Sequence, residues 1–139
     1  MIICDTAPIV AAALYKDPNY HRCVELFTGL RLANRQLLLP SPIVAEVGYL
    51  LGIKGGAKTE AFFLRALADR DFIPVELTTA DYSRMAELVE QYHDLPLGTS
   101  DASVIALAER LEVDEIATLD LRHFTVVRPR HVKAFTLLP

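Results

Sequence analysis

Short apolar runs alternating with helix-length amphipathic segments predict an α/β protein with a mainly parallel central sheet of about four to five short strands. Three observations carry that expectation. Apolar runs of three or four residues recur along the chain, segments of 3.6-residue periodicity separate them, and the 139 residues contain neither an internal repeat nor a linker. A single domain over residues 1–139 follows, long enough to bury its own core without disulfide or metal staples.

Ile2-Ile3-Cys4 is the first apolar run and reads as a buried strand. Pro8 sits near the first turn of the helix that follows, which runs to about Tyr15. Asp17-Pro18-Asn19 breaks it, and Val24, Phe27 and Leu30 recur at helical spacing in a second helix from about Tyr20 to Ala33. Leu37-Leu38-Leu39 is the second strand, stopped by Pro40. Ser41-Pro42 has the form of an N-cap followed by proline at the first helical position, and that helix is expected to reach about Leu51 before Gly52, Gly55 and Gly56. A further helix spans about Lys58 to Ala68. Phe72-Ile73-Pro74-Val75 is the third strand, and its proline points to the sheet edge or a strand end. Helices from Thr79 to about Tyr92 and from Thr99 to about Leu111 precede a fourth strand, Ile116 to Leu119. The stretch from Phe124 to Leu138 is expected to add a short strand or two.

Composition narrows the function. With 52% hydrophobic and 23% charged residues the chain is globular rather than disordered. Its mean hydropathy of +0.26 is high for a small domain, so part of its apolar surface is expected to be covered by a partner. No apolar run approaches the roughly 20 residues that span a bilayer, and the opening lacks a basic signal-peptide region. Cys4 and Cys23 form no framework and are expected to be buried free thiols in a reduced, cytoplasmic protein. A net charge of −4 argues against a protein that coats nucleic acid through bulk positive charge, but not against an enzyme that gathers acids at a reaction centre.

The acids are placed with that possibility in view. Asp5 follows strand one and Asp120 follows strand four, at the carboxyl ends where open parallel sheets bind ligands. Glu46 completes the helical stripe of Ile43, Val47 and Leu50, and Asp101 completes that of Val104, Ile105 and Ala108, so each acid falls where a core residue is expected. An ionised carboxylate there requires a cation, a proton or strong hydrogen bonds. Both also lie near helix N-termini, where the dipole favours negative charge and offers a plainer account, better for Asp101 than for Glu46. Four acids drawn from four elements toward one place require a counter-cation, and an all-oxygen ligand set favours Mg²⁺ or Mn²⁺ over zinc. The histidines His21, His93, His123 and His131 have no zinc-ligand spacing and are expected to be surface or packing residues. Tyr15, Tyr49 and Tyr92 are likewise expected to pack.

These residues carry a resemblance. Ile2-Ile3-Cys4-Asp5-Thr6, Ser41-Pro42-Ile43-Val44-Ala45-Glu46, Thr99-Ser100-Asp101-Ala102-Ser103-Val104-Ile105-Ala106 and Thr118-Leu119-Asp120-Leu121-Arg122-His123-Phe124 cover essentially the whole chain in order. Together they resemble the PIN-domain ribonucleases, and within them the VapC-type toxins of toxin–antitoxin pairs. The resemblance implies a PIN-like α/β/α sandwich and a metal-dependent endoribonuclease. It assigns Mg²⁺ or Mn²⁺ to the quartet Asp5, Glu46, Asp101 and Asp120, with the hydroxyls of Thr6 and Thr118 in support. It further implies hydrolysis by in-line attack of water that leaves 5′-phosphate and 3′-hydroxyl ends, a structured RNA target (tRNA or rRNA), a homodimer, and a small antitoxin whose C-terminal segment occupies a groove. Lys54, Lys58, Arg122, Arg128 and Arg130 are the basic residues placed for phosphate contact, against the plainer reading of a solvated face.

Other readings fit less well. A phosphatase of the haloacid-dehalogenase type needs a second Asp two residues after the first, where this chain has Ala7. A receiver domain needs an Asp after its middle strand, where Val75 is followed by Glu76 and Leu77. No Gly-rich run ends in Gly-Lys-Ser/Thr, so there is no P-loop. The non-enzymatic alternative is a catalytically inert PIN-like domain that binds RNA or protein; the presence of all four acids favours the nuclease.

Overall fold

A computed structural model describes all residues, Met1–Pro139. Its centre is a five-stranded sheet in which β1 (Ile2–Cys4), β2 (Leu37–Pro40), β3 (Ile73–Val75), β4 (Glu115–Ala117) and β5 (Thr136–Leu138) are all parallel and ordered β3-β2-β1-β4-β5. Ile2 and Ile3 point to opposite faces of β1, yet neither is exposed, so helices cover both faces of the sheet. Pro74 lies on β3, at the sheet edge as its missing N–H requires.

The helices are α1 (Thr6–Ala13), α2 (Tyr20–Leu32), α3 (Ser41–Ala68), α4 (Thr79–Gln91), α5 (Thr99–Leu111) and α6 (Leu121–Val126). α1 packs on α2 and α3, α4 packs on α5, and α5 also lies against β1 and β2. Seven consecutive α5 residues, Ala102–Ala108, are buried, as befits a helix enclosed on every side. Asp81 locks α4 to this assembly: it closes a capping box with Thr78 and accepts from Arg110 at 2.9 Å. None of the helices is long and apolar enough to cross a membrane.

Three expectations are corrected. α1 starts at Thr6, two residues earlier than Pro8 implied, because Asp5 caps it. The helix from Ser41 does not stop near Leu51; it continues through Gly52 and turns at Gly56, whose φ of 82° and ψ of 177° join the two helical segments of α3. The segment after Asp120 forms α6 before the chain reaches β5, where only strands were expected; capping by Asp120 supplies the helix start that a run this short does not advertise.

The backbone sets opposite outcomes for one substitution at two glycines. Gly29 lies inside α2 with open space at its Cβ position, whereas Gly56 adopts a conformation that L-residues rarely take. Gly29→Ala is expected to raise stability by about 0.5–1 kcal/mol, and Gly56→Ala to lower it by about 1–3 kcal/mol. Urea unfolding of both variants checks the pair.

Candidate active site

β1 and β4 are neighbours at the centre of the sheet, and Asp5 and Asp120 leave their carboxyl ends on either side of the point where strand order reverses. Asp5 is buried and caps α1: Oδ1 accepts from the Thr6 N–H at 2.8 Å, and Oδ2 accepts from the Thr118 hydroxyl at 2.8 Å. The Thr118 oxygen in turn accepts from the Asp120 N–H at 2.9 Å, so one buried hydroxyl ties the two strand ends together. Asp120 caps α6 by accepting from the His123 N–H at 3.0 Å.

Helices bring the other two acids. Glu46, on α3, accepts from the Ser100 hydroxyl at 2.6 Å, while Asp101 stands in the first turn of α5. The buried stripe of α3 is Ile43, Val47 and Leu51, which rotates Glu46 and Leu50 to its margin. Glu46 is therefore not a core residue, as its spacing suggested, but a wall residue of an open recess. That recess, of about 440 Å³, is lined by Asp5, Thr6, Glu46, Asp101 and Asp120 together with Asp17, Asn19 and Lys54. All four sequence-predicted acids thus meet in one cavity.

Burial and like charge govern their ionisation. Desolvation, opposed by the Thr6 and Thr118 hydrogen bonds and reinforced by Asp101 and Glu46, pushes the Asp5 carboxyl up to about 6. Desolvation also raises Asp101, with His123 pulling it down and Asp120 and Glu46 pushing it up. The Thr6 hydroxyl lies buried in the recess wall without a hydrogen-bond partner. Uncompensated carboxylates around an unsatisfied hydroxyl form a donor set of hard oxygens that fits a hydrated divalent cation.

His123 is a site residue that spacing arguments about zinc overlooked. Its Nδ1 lies 2.6 Å from Asp120 Oδ2 and 3.1 Å from Asp101 Oδ2. The usable signal was its position three residues after the capping Asp120, which places it on the same turn. Ser100 enters the sequence reading only as part of the Thr99–Ala106 motif, and its role beside Glu46 depends on a contact 54 positions apart.

The basic residues divide. Lys54 reaches the recess; Lys58 is exposed outside it, as is Arg122. Arg130 is paired with Glu87 at 2.8 Å, and Arg128 donates to the Thr125 carbonyl at 2.9 Å. Tyr15 and Tyr49 are 75% and 66% exposed rather than packed, whereas the Tyr92 hydroxyl accepts from the Arg128 N–H. Cys4 and Cys23 are buried and free. Beyond Lys54 and Asp17 the recess continues into a trough beside Tyr15 and Lys16, which shares Ala13 and Thr59 with an apolar groove lined by Val24, Phe27, Phe62 and Phe63.

The family model of the PIN domain matches residues 2–128. Ribonuclease VapC26 of Mycobacterium tuberculosis is 31% identical over 139 residues, 99% of this chain and 100% of that protein. Among solved structures, Mycobacterium tuberculosis VapC20, described as a sarcin-ricin loop cleaving toxin, superposes with a TM-score of 0.73 at 13% identity, covering 84% of this chain and 87% of that one. VapBC2 from Rickettsia felis, bound to a promoter DNA fragment, gives 0.69 at 17% identity over 100% of both chains. FitAcB from Neisseria gonorrhoeae gives 0.58 at 21% identity, over 86% and 88%.

The raised Asp5 carboxyl makes metal-free stability depend on pH. Its folded-state value of about 6 exceeds the ordinary carboxylate value, so its contribution is fully present below about pH 4. That contribution, about 3 kcal/mol in all, is lost as pH rises through about 6. Asp101 acts in the same direction. Urea midpoints of the EDTA-treated protein should fall between pH 4 and 7, and Asp5→Asn should flatten most of that slope.

Proposed function

The chain belongs to the PIN-domain family, and on that footing we propose that it is a divalent-metal-dependent endoribonuclease, the toxin of a toxin–antitoxin pair. The observation that carries the site assignment is the convergence of Asp5, Glu46, Asp101 and Asp120, from four separate elements, on one recess with an unsatisfied hydroxyl in its wall. These four residues hold Mg²⁺ or Mn²⁺ in this reading. The chemistry such an ion supplies is polarisation of water and neutralisation of charge developing on a phosphodiester.

The chain's own groups do the rest. Thr118 and the Thr6 N–H hold both oxygens of Asp5, so that carboxylate is oriented before substrate arrives. Ser100 orients Glu46 in the same way. Lys54, which lines the same recess, offers a cation for a neighbouring RNA phosphate. The reaction is hydrolysis: the oxygen of water bonds to phosphorus, the bond from phosphorus to O3′ breaks, and O3′ takes up a proton. A 5′-phosphate and a 3′-hydroxyl result.

The target in this reading is an exposed loop of a structured RNA, tRNA or rRNA, where unstacked nucleotides can enter the recess. For the antitoxin, the apolar groove supplies the docking surface. Phe62 is 73% exposed at its rim, and the trough past Lys54 leads a bound segment toward the acids. We assign the homodimer to the outer face of α4, where Tyr82 and Val89 are exposed one heptad apart. Two free buried thiols suit a reduced cytoplasm.

Purified protein incubated with total cellular RNA should make discrete cuts in Mg²⁺ or Mn²⁺, none in EDTA, and at least a hundredfold fewer with Asp5→Asn. Undiminished cutting by that variant or in EDTA would overturn the site, and no cutting by folded, partner-free protein would favour the binding-module alternative. Thr118→Val should lower kcat about 10–100-fold with KM little changed, since it removes the hydroxyl that orients Asp5 and anchors the Asp120 N–H. Steady-state kinetics on the mapped RNA checks it.

A further inference from the structure

His123 stands among the acids in a geometry that a hydrogen bond does not explain. Its Nδ1 is buried, lies 2.6 Å from Asp120 Oδ2 and 3.1 Å from Asp101 Oδ2, and satisfies the geometry of a hydrogen bond to neither oxygen. The three atoms fall within 4.8 Å of one another, the spacing of ligands that share one ion. Two carboxylate oxygens and a ring nitrogen this close need positive charge among them, and a shared cation supplies it without the hydrogen-bond geometry that the ring's own proton would require.

The local chain holds the ring there. Asp120 spends Oδ1 on the His123 N–H, which leaves Oδ2 facing Nδ1. The Asp120 N–H is anchored in turn on the Thr118 oxygen, which itself donates to Asp5, so the loop cannot swing away without breaking that anchor. Phe124, the next residue, is buried against Phe135 and fixes α6 in the core. His123 is thus fixed on both sides of its own backbone.

We propose that His123 Nδ1 is a direct metal ligand, so that Asp101, Asp120 and His123 form a mixed oxygen–nitrogen face of the divalent-ion site. The inference rests on the reading of this recess as a metal site and adds a ligand to it. A consequence for specificity follows. Imidazole nitrogen suits transition ions better than Mg²⁺, which prefers oxygen and keeps much of its water. The nitrogen therefore biases the site toward Mn²⁺ over Mg²⁺.

The test uses the full chain, stripped of metal and loaded with one equivalent of Mn²⁺. Pulsed electron paramagnetic resonance should show coupling of the Mn²⁺ electron spin to a directly bound ¹⁴N. Labelling histidine with ¹⁵N should replace that pattern with the ¹⁵N one, a readout that needs no substitution and no activity. His123→Ala should abolish the coupling. Calorimetric titration should show its Mn²⁺ affinity reduced at least tenfold and its Mg²⁺ affinity less than threefold. Mn²⁺ bound without nitrogen coupling, or coupling that survives His123→Ala, overturns this inference and leaves the acid quartet standing, as metal-dependent RNA cleavage would confirm. Failure of the wild-type chain to bind Mn²⁺ at all overturns both.

Discussion

Like-charge repulsion between carboxylates that the backbone forces together is the constraint around which this molecule is arranged. Asp5 and Asp120 leave adjacent strands, Glu46 and Asp101 stand on helices packed beside them, and all four open on the same recess. Such a group is unfavourable in the absence of a cation, as the raised Asp5 and Asp101 carboxyls register. The fold tolerates it because each acid that sits at an element's start also serves that element. Asp5 caps α1, Asp120 caps α6, and Asp101 lies in the first turn of α5. Local stabilisation of the helix termini offsets part of the repulsion.

The polar contacts beneath the acids explain why the recess keeps its shape. Thr118 bridges the ends of β1 and β4 through one oxygen that donates to Asp5 and accepts from Asp120. Ser100 does the corresponding work between α3 and α5 by donating to Glu46. Behind both, Ile2, Ile3, Leu39, Ile105 and Ile116 are fully or almost fully buried, so the strands and α5 that carry these residues have little room to shift. A rigid support is what a site requires when its groups must be oriented before the substrate binds.

The groove beside α1, α2 and α3 follows a different logic. Phe62 and its neighbours expose apolar surface that the core does not need, and Tyr15 and Lys54 line the way from it to the acids. Glu60, on the same helical segment, sets its carboxylate against Gly48 and Gly52, so the two halves of α3 turn back on one another at Gly56. The turn is what places the second half of α3 opposite α1 and α2 and so creates the groove's outer wall. Gly56 thereby shapes a surface many residues away from the acids, though it lies only two positions after Lys54.

Residue order alone determined the alternation of strands and helices, the edge position announced by Pro74, and the four acids as members of one set. Those features are local: period, capping and proline chemistry act within a few residues. Several others were decided by tertiary structure. Glu46 read as a core position because spacing reports a helix face but not the angle at which that face meets its neighbours; packing turned the stripe to Ile43, Val47 and Leu51. His123 and Ser100 joined the site through contacts across elements, which no local pattern encodes. The pairing of Arg130 with Glu87 on α4 likewise spans 43 positions. Sequence specifies which groups are available, and the crossing of helices over the sheet decides which of them meet.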